Sequence, residues 1–115
     1  MNRYMMILWG GDVREAKMSP EQLQSYMKRW TTWMENLAKQ GISDGGEPLG
    51  PEGRTISGSA KLVTDGPYTE AKEAVGGYVI LRAETIDKAV EIAKTCPLFE
   101  VEGTVEVRPI QLLEM

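Results

Sequence analysis

The chain has 115 residues, which is enough for one domain of ordinary size and too short for two. Hydrophobic residues make up 42% of it and charged residues 26%, a composition typical of a globular protein and not of a disordered one. The net charge is −4 and no basic run occurs, which argues against nucleic-acid binding through phosphate neutralisation. A single cysteine excludes a disulfide within the chain.

The absence of histidine restricts the chemistry further. Without imidazole there can be no Ser-His-Asp or Cys-His catalytic arrangement, no HExxH zinc helix and no histidine-ligated haem supplied by this chain. Acid–base chemistry must therefore use carboxylates, lysine, tyrosine or the lone thiol. No GxGxxG, Walker or CxxC motif occurs, so we predict neither a cofactor nor a metal site.

The amino terminus carries an apolar run at residues 4–9, after Arg3. This run is short for a signal peptide, and no small-residue cleavage site follows it. No segment approaches the roughly 20 apolar residues that cross a bilayer. We expect a soluble, cytoplasmic protein that has no membrane partner.

The apolar run predicts a first strand over residues 3–9 that is covered on both faces. Its alternation places Tyr4, Met6 and Leu8 on one face and Met5, Ile7 and Trp9 on the other. A long helix is predicted to follow. Ser19 would cap it with Gln22 in a capping box, Pro20 would be its first residue, and Gly41 would end it.

Residues 41–58 are rich in glycine and proline, which predicts a loop or an irregular, bulged strand pair. Alternation over 55–64 predicts one strand, followed by a turn at 65–68 and a short helical turn at 70–75 that Gly76-Gly77 ends. The later elements are a strand at 78–82, a helix capped by Thr85 or Asp87, and a strand at 104–110 whose Pro109 favours a sheet edge.

This order of elements predicts an α+β fold: a ferredoxin-like split βαβ sandwich whose antiparallel sheet carries two helices on one face. We assign residues 1–115 to this single domain. The other sheet face still needs a cover, because the first and third predicted strands are apolar on both sides. A second copy of the chain could supply that cover, which predicts a homodimer.

The candidate site is the segment 65–73 with Gly76 and Gly77, the densest cluster of residue types that do not suit a core. Asp65 is the candidate catalytic acid or base; alternatively, it begins a turn with Gly66 and Pro67. Gly76 and Gly77 let a ligand or a backbone approach closely, or they end a helix. The remaining candidate ligand-binding residues are Tyr68, Glu70, Lys72 and Glu73, and Lys72 would neutralise an anionic substrate, although a solvated helical turn would carry the same charges.

Two further sets of residues have competing interpretations. Cys96 follows a predicted helix and no histidine can activate it, which favours a buried structural thiol over a nucleophile. Six aromatic residues could line a cavity for a planar ligand, or they could pack in the core and in a dimer interface: Tyr4, Trp9, Trp30, Trp33, Tyr68 and Tyr78.

The motif DGPYTEAKE followed by GGY resembles the signature of the YCII-related proteins of the DGPF type. The resemblance extends to RYMMILWGGD at the start, GGEPL at 45–49 and VEVRP at 105–109, and Tyr68 stands where the motif usually has phenylalanine. It implies a ferredoxin-like fold that pairs into a dimeric α/β barrel.

The resemblance also implies two kinds of function. The wider superfamily is similar to small enzymes that act on aromatic substrates, including a dehydrochlorinase, with a His-Asp pair in the cleft. That pair cannot be carried over here because this chain has no histidine. Members of the DGPF type are often encoded beside extracytoplasmic-function sigma factors. We therefore expect a small-molecule-binding protein with an acid–base role at the DGPYTEAKE loop or, alternatively, a noncatalytic regulatory or protein-interaction module.

Overall fold

The computed structural model describes residues 1–66 and 75–113 of the chain. The described strands and helices are β1 (Asn2–Trp9), α1 (Asp12–Ala16), α2 (Pro20–Lys39), β2 (Ser43–Pro48), β3 (Gly53–Ser57), β4 (Leu62–Gly66), β5 (Val75–Ala83), α3 (Ile86–Ala93), a 3₁₀ helix (Pro97–Val101) and β6 (Thr104–Pro109).

Four of these strands form an antiparallel sheet in the order β2-β5-β1-β6. Helix α2 connects β1 to β2 and helix α3 connects β5 to β6, so that each connection passes over one intervening strand. This is the predicted ferredoxin-like arrangement. Strand β6 lies at the edge of the sheet, where Pro109 removes no interior hydrogen bond.

Both long helices pack on the same face of the sheet. The core joins Tyr4 and Met6 of β1 to Leu81 of β5, Tyr26 of α2 and Ala89 of α3, all of them buried. Burial alternates along β1 and β5, as the pleat of a strand requires. The prediction of two helices on one face is therefore confirmed, and the opposite face is left without a helix among the described residues.

The predicted boundaries of α2 are also confirmed. The Ser19 side chain accepts a hydrogen bond from the Gln22 amide at 3.1 Å, and the Gln22 side chain accepts one from the Ser19 amide at 2.9 Å. These two bonds satisfy free amides at the helix start. At the other end Gly41 adopts a φ of +71°, a conformation that glycine takes without a steric cost.

The segment at 55–64 differs from its prediction. It is not one strand but the turn region of a hairpin, in which β3 and β4 pair antiparallel and Gly58 (φ +72°) and Lys61 (φ +57°) make the reversal. Cross-strand neighbours share a face, so Ile56 lies beside Val63 and not, as the alternation suggested, on the face opposite to it. The hairpin pairs only with itself among the described strands.

Strand β5 also begins earlier than expected, at Val75, so Gly76 and Gly77 lie inside it. The helical turn predicted at 70–75 lies, apart from Val75, outside the described residues. Gly77 is buried, and a Cβ atom there would approach the Glu47 carbonyl oxygen to 2.8 Å. At Gly46 a Cβ atom would lie 2.8 Å from the Val79 Cα. These two glycines let the backbones of β2 and β5 come together.

We expect Gly46→Ala to destabilise the fold by about 2 kcal/mol or more, because backbone atoms of β5 cannot move aside as a flexible side chain can. Urea denaturation would measure this. Gly50→Ala is the matched control, since no atom lies within 4 Å of a Cβ built there. Equal stability of the two variants would contradict the close approach of β2 and β5.

Cys96 is buried, with 4% of its surface exposed, as the sequence predicted for a structural thiol. Burial raises the pKa of the Cys96 thiol to about 11. At pH 8 the native protein should therefore react with Ellman's reagent more than about a hundredfold slower than free cysteine, because the thiolate is the reactive form. Rapid labelling of the native protein would contradict this; labelling in guanidinium chloride is the positive control.

Candidate functional site: the open face of the sheet

The sheet face opposite the helices, here called the open face, carries a strip of apolar side chains along its centre. Met5 and Ile7 of β1 pair with Ile80 and Tyr78 of β5, and Trp9 continues the strip towards the end of β1. All five side chains are only partly buried. A contiguous apolar patch on the surface of a protomer commonly marks an interface or a ligand site.

Two carboxylates lie beside the strip, and one of them, Glu106, forms an ion pair with Arg108 at 3.8 Å. Glu47 of β2 pairs with Tyr78, and Glu106 of β6 pairs with Ile7, so that a carboxylate lies on each side of the strip. The Trp9 indole Nε1 donates a hydrogen bond to Glu106 Oε1 at 3.2 Å. That bond orients the indole ring at the end of the strip and leaves the Glu47 carboxylate on the opposite edge.

The other end of the open face is basic. Arg3 of β1 and Arg82 of β5 are direct cross-strand partners, an arrangement in which like charges repel. Asp44 of β2 lies against both. Its Oδ2 atom accepts from Arg82 Nε at 2.9 Å and from Arg3 Nε at 3.2 Å. One carboxylate thus bridges two guanidinium groups, and the group of three residues keeps one net positive charge.

A bulge in β2 positions Asp44 for this role. The pairing register with β5 shifts between Ser43 and Gly46, Gly45 adopts a φ of +101°, and the Ser43 hydroxyl accepts from the Gly45 amide at 2.9 Å. Bulges commonly redirect a side chain in this way. The hydrogen bond from Arg82, with a smaller contribution from Arg3, holds the pKa of the Asp44 carboxyl below its usual value, so Asp44 is charged at neutral pH.

Asp65 lies away from this cluster, in strand β4 of the hairpin. It pairs with Arg54 of β3, and Arg54 Nε lies 3.2 Å from Asp65 Oδ1. The Asp65 side chain is 82% exposed within the protomer. The prediction of an acid or base at this position therefore requires that a ligand or another chain approaches the hairpin.

The other predicted site residues fall into two groups. Gly66 pairs with Gly53 at the end of β4, while Gly76 and Gly77 lie in β5 next to the strip. The remaining predicted residues lie outside the described part of the chain: Pro67, Tyr68, Glu70, Lys72 and Glu73. Val75, the next described residue, pairs with Trp9 at the end of the apolar strip.

The aromatic side chains do not form one cavity in the described part of the chain. Tyr4 is buried in the core beneath the helices, and the rings of Trp30 and Trp33 on α2 meet edge to face with their centroids 5.5 Å apart. Trp9 and Tyr78 lie on the opposite, open face. Core packing therefore accounts for Tyr4 and the two helical tryptophans, and Trp9 and Tyr78 remain as candidates for ligand contact.

A shallow groove of about 550 Å³ lies on the helical side, between α1, α2 and the 3₁₀ helix. Its best placed cation, Arg29, is already neutralised by Glu100, with 2.7 Å between Arg29 Nη2 and Glu100 Oε1. Ser25 accepts a further hydrogen bond from the same guanidinium group. Arg14, Lys17 and Glu21 also line the groove. The open face is the stronger candidate because it carries the contiguous apolar strip.

Sequence reasoning did not single out Arg3, Asp44 or Arg82. Arg3 is the first residue of the strand predicted over 3–9, and Arg82 ends the predicted strand at 78–82. The glycine-rich segment 41–58 predicted a loop or a bulged strand pair, but its sequence does not indicate that the bulge brings Asp44 to both arginines.

Within residues 1–66 and 75–113, none of the helices is long and apolar enough to span a membrane.

Comparison with known proteins places the chain in a family. Among curated proteins no match was found. Among solved structures, the chain is similar to 5-chloro-2-hydroxyhydroquinone dehydrochlorinase (TftG) from Burkholderia phenoliruptrix AC1100 in complex with 2,5-dihydroxybenzoquinone, with 15% identity, a TM-score of 0.48, and 95% of this chain and 93% of that chain covered. The family model of the YCII-related domain matches residues 4–114, nearly the whole length. The chain therefore belongs to the YCII-related domain family.

Proposed function

We propose that this chain is a cytoplasmic homodimer of the DGPF type that binds a small molecule between the open faces of its two subunits. The observation that carries the proposal is the apolar strip of Met5, Ile7, Trp9, Tyr78 and Ile80, which no helix covers among the described residues. Each isoleucine or methionine moved from water into an interface contributes roughly 1.5–3 kcal/mol when burial is complete. A second copy provides an identical strip, as a two-fold interface requires.

The charged borders of the strip favour an interface that encloses a small molecule over one in which the two faces close completely. Glu47 and Glu106 flank the strip, and Arg3 and Arg82 lie at its end, so two such faces cannot pack as a wholly apolar sandwich. A planar ring between the faces would contact Trp9 and Tyr78, and the polar substituents of the ligand would contact the charged groups.

In this proposal the DGPYTEAKE loop lines the same site. Its last neighbour, Val75, pairs with Trp9, and Gly76 and Gly77 follow along the strip. Asp65 is the acid–base group, Tyr68 and Lys72 contact the substrate, and the loop residues Gly66, Pro67, Glu70 and Glu73 complete the lining. Asp65 is the candidate because its side chain is 82% exposed within the protomer, so that a ligand can reach the carboxylate.

A noncatalytic regulatory role is the second candidate, and one observation favours it. The hairpin exposes three large apolar side chains, Ile56 (67%), Leu62 (65%) and Val63 (57%). Isolated two-stranded hairpins are marginally stable, so a protein partner that covered this hairpin would also stabilise it. An extracytoplasmic-function sigma factor is the partner that the DGPF type suggests.

We expect Ile7→Lys to convert the dimer into a monomer at micromolar concentration, because it places a charge at the centre of the apolar strip. Light scattering coupled to size exclusion would measure the mass, and circular dichroism would check that the variant is folded. Leu23→Lys on α2 is the matched control, since Leu23 is 38% exposed on the helical side. A wild-type monomer under the same conditions would refute the dimer.

We expect Asp65→Asn to abolish binding of a neutral phenol, for which meta-hydroxybenzyl alcohol is the probe, and to change Tm by no more than ~2 °C because exposed ion pairs contribute little. Isothermal titration calorimetry and thermal unfolding give the two readouts.

The control is Arg54→Gln, which removes the same ion pair and keeps the carboxylate. If both variants lose binding equally, Asp65 acts only by holding the hairpin, and the acid–base assignment is wrong.

A further inference from the structure

The two arginines at the basic end of the open face have hydrogen-bond donors that Asp44 does not use. Arg3 and Arg82 each donate to Asp44 through Nε. Their terminal Nη groups have no hydrogen-bond partner within residues 1–66 and 75–113. Both side chains are about half exposed, at 48% and 50%. The structure therefore presents two guanidinium groups, side by side, whose outer donors remain unused.

Asp44 holds the two arginine side chains in place without cancelling their combined positive charge. It is the less exposed member of the three, at 24%, and it binds both Nε atoms through a single oxygen. A guanidinium group offers its donors in a planar fork that matches the two oxygens of a carboxylate. Fixing Nε orients that fork in advance, which lowers the entropic cost of binding an anion.

We propose that Arg3 and Arg82 form a subsite for an oxyanion, such as a carboxylate, carried by the small-molecule ligand. The next pair along the same two strands is Met5 and Ile80, so an apolar or aromatic body attached to the anion would lie on the strip. The ligand class is therefore an aromatic or apolar acid. This inference rests on the proposed function, because it assigns one end of the same site.

One rival occupant exists for the arginine pair. In a dimer the two open faces oppose each other, and Glu47 or Glu106 of the second copy could satisfy the same donors. In that case the arginines would contribute to subunit association and not to ligand choice.

The test compares meta-hydroxybenzoate with meta-hydroxybenzyl alcohol, two rings that differ in the presence of the anion. The wild-type protein should bind the carboxylate at least about tenfold more tightly at low salt, since hydrogen bonds between ionised groups are stronger than those between neutral groups. The preference should fall as salt is added, because the arginines are exposed. Isothermal titration calorimetry and light scattering are run on every variant.

Two variants at the site are expected to change carboxylate binding in opposite directions. Arg82→Gln should remove most of the preference for the carboxylate over the alcohol and leave the subunit mass unchanged. Asp44→Asn keeps an acceptor oxygen for both Nε atoms but removes the negative charge, so the carboxylate should bind roughly threefold tighter or more. The gain expected for Asp44→Asn cannot arise from a folding defect. Arg14→Gln, on the helical side, is the control for loss of one positive charge.

Three results would overturn the inference. Equal affinity of the two rings would leave the proposed function intact and remove the anion subsite. If Arg82→Gln dissociates the dimer and leaves the preference for the carboxylate unchanged, the arginines bind carboxylates of the second subunit and not the ligand. Binding of neither ring would refute the proposed function and the subsite together.

Discussion

The central constraint in this structure is a sheet whose middle strands are apolar on both faces while the helices cover only one. Strands β1 and β5 bury Met6 and Leu81 beneath α2 and α3, and their intervening residues place Ile7 and Ile80 on the other side. The hydrophobic effect acts on both faces alike, so the protomer leaves part of its favourable burial unrealised. The uncovered strip, its charged borders and the proposed pairing of subunits all follow from this imbalance.

The charged residues of the open face are arranged by the strands themselves. Direct cross-strand pairing brings Arg3 to Arg82, and the same register places Glu106 opposite Ile7. Like charges in register are unfavourable, and the Asp44 carboxylate on the bulge offsets that repulsion, since its hydrogen bond to Arg82 raises the pKa of that guanidinium group. Because the three residues together keep one net positive charge, this end of the apolar surface presents a positive potential to an incoming group.

Much of this fold could be predicted because local signals agreed with one another. The alternation of β1, the Ser19–Gln22 box and Pro109 each fixed an element that the structure confirms. The hairpin was missed because its alternation continues through the turn, and because one turn position is Lys61, a residue type that rarely has a positive φ. The site was only partly foreseen, since the contact between Asp44 and the two arginines depends on where the bulge falls in β2, and the glycines of the segment 41–58 predict a bulge without fixing its position.

The two glycines at 45 and 46 have a consequence for how this protein can vary. Gly45 makes the backbone turn that aims Asp44, and Gly46 lets the same strand lie flush against β5. A side chain at 46 would push β2 away from β5, and one at 45 would strain the backbone turn at its φ of +101°. Either change would move the Asp44 carboxylate away from the two guanidinium groups. The pairing of β2 with β5 and the charge of the neighbouring surface therefore depend on the same dipeptide. A substitution there that alters one alters the other.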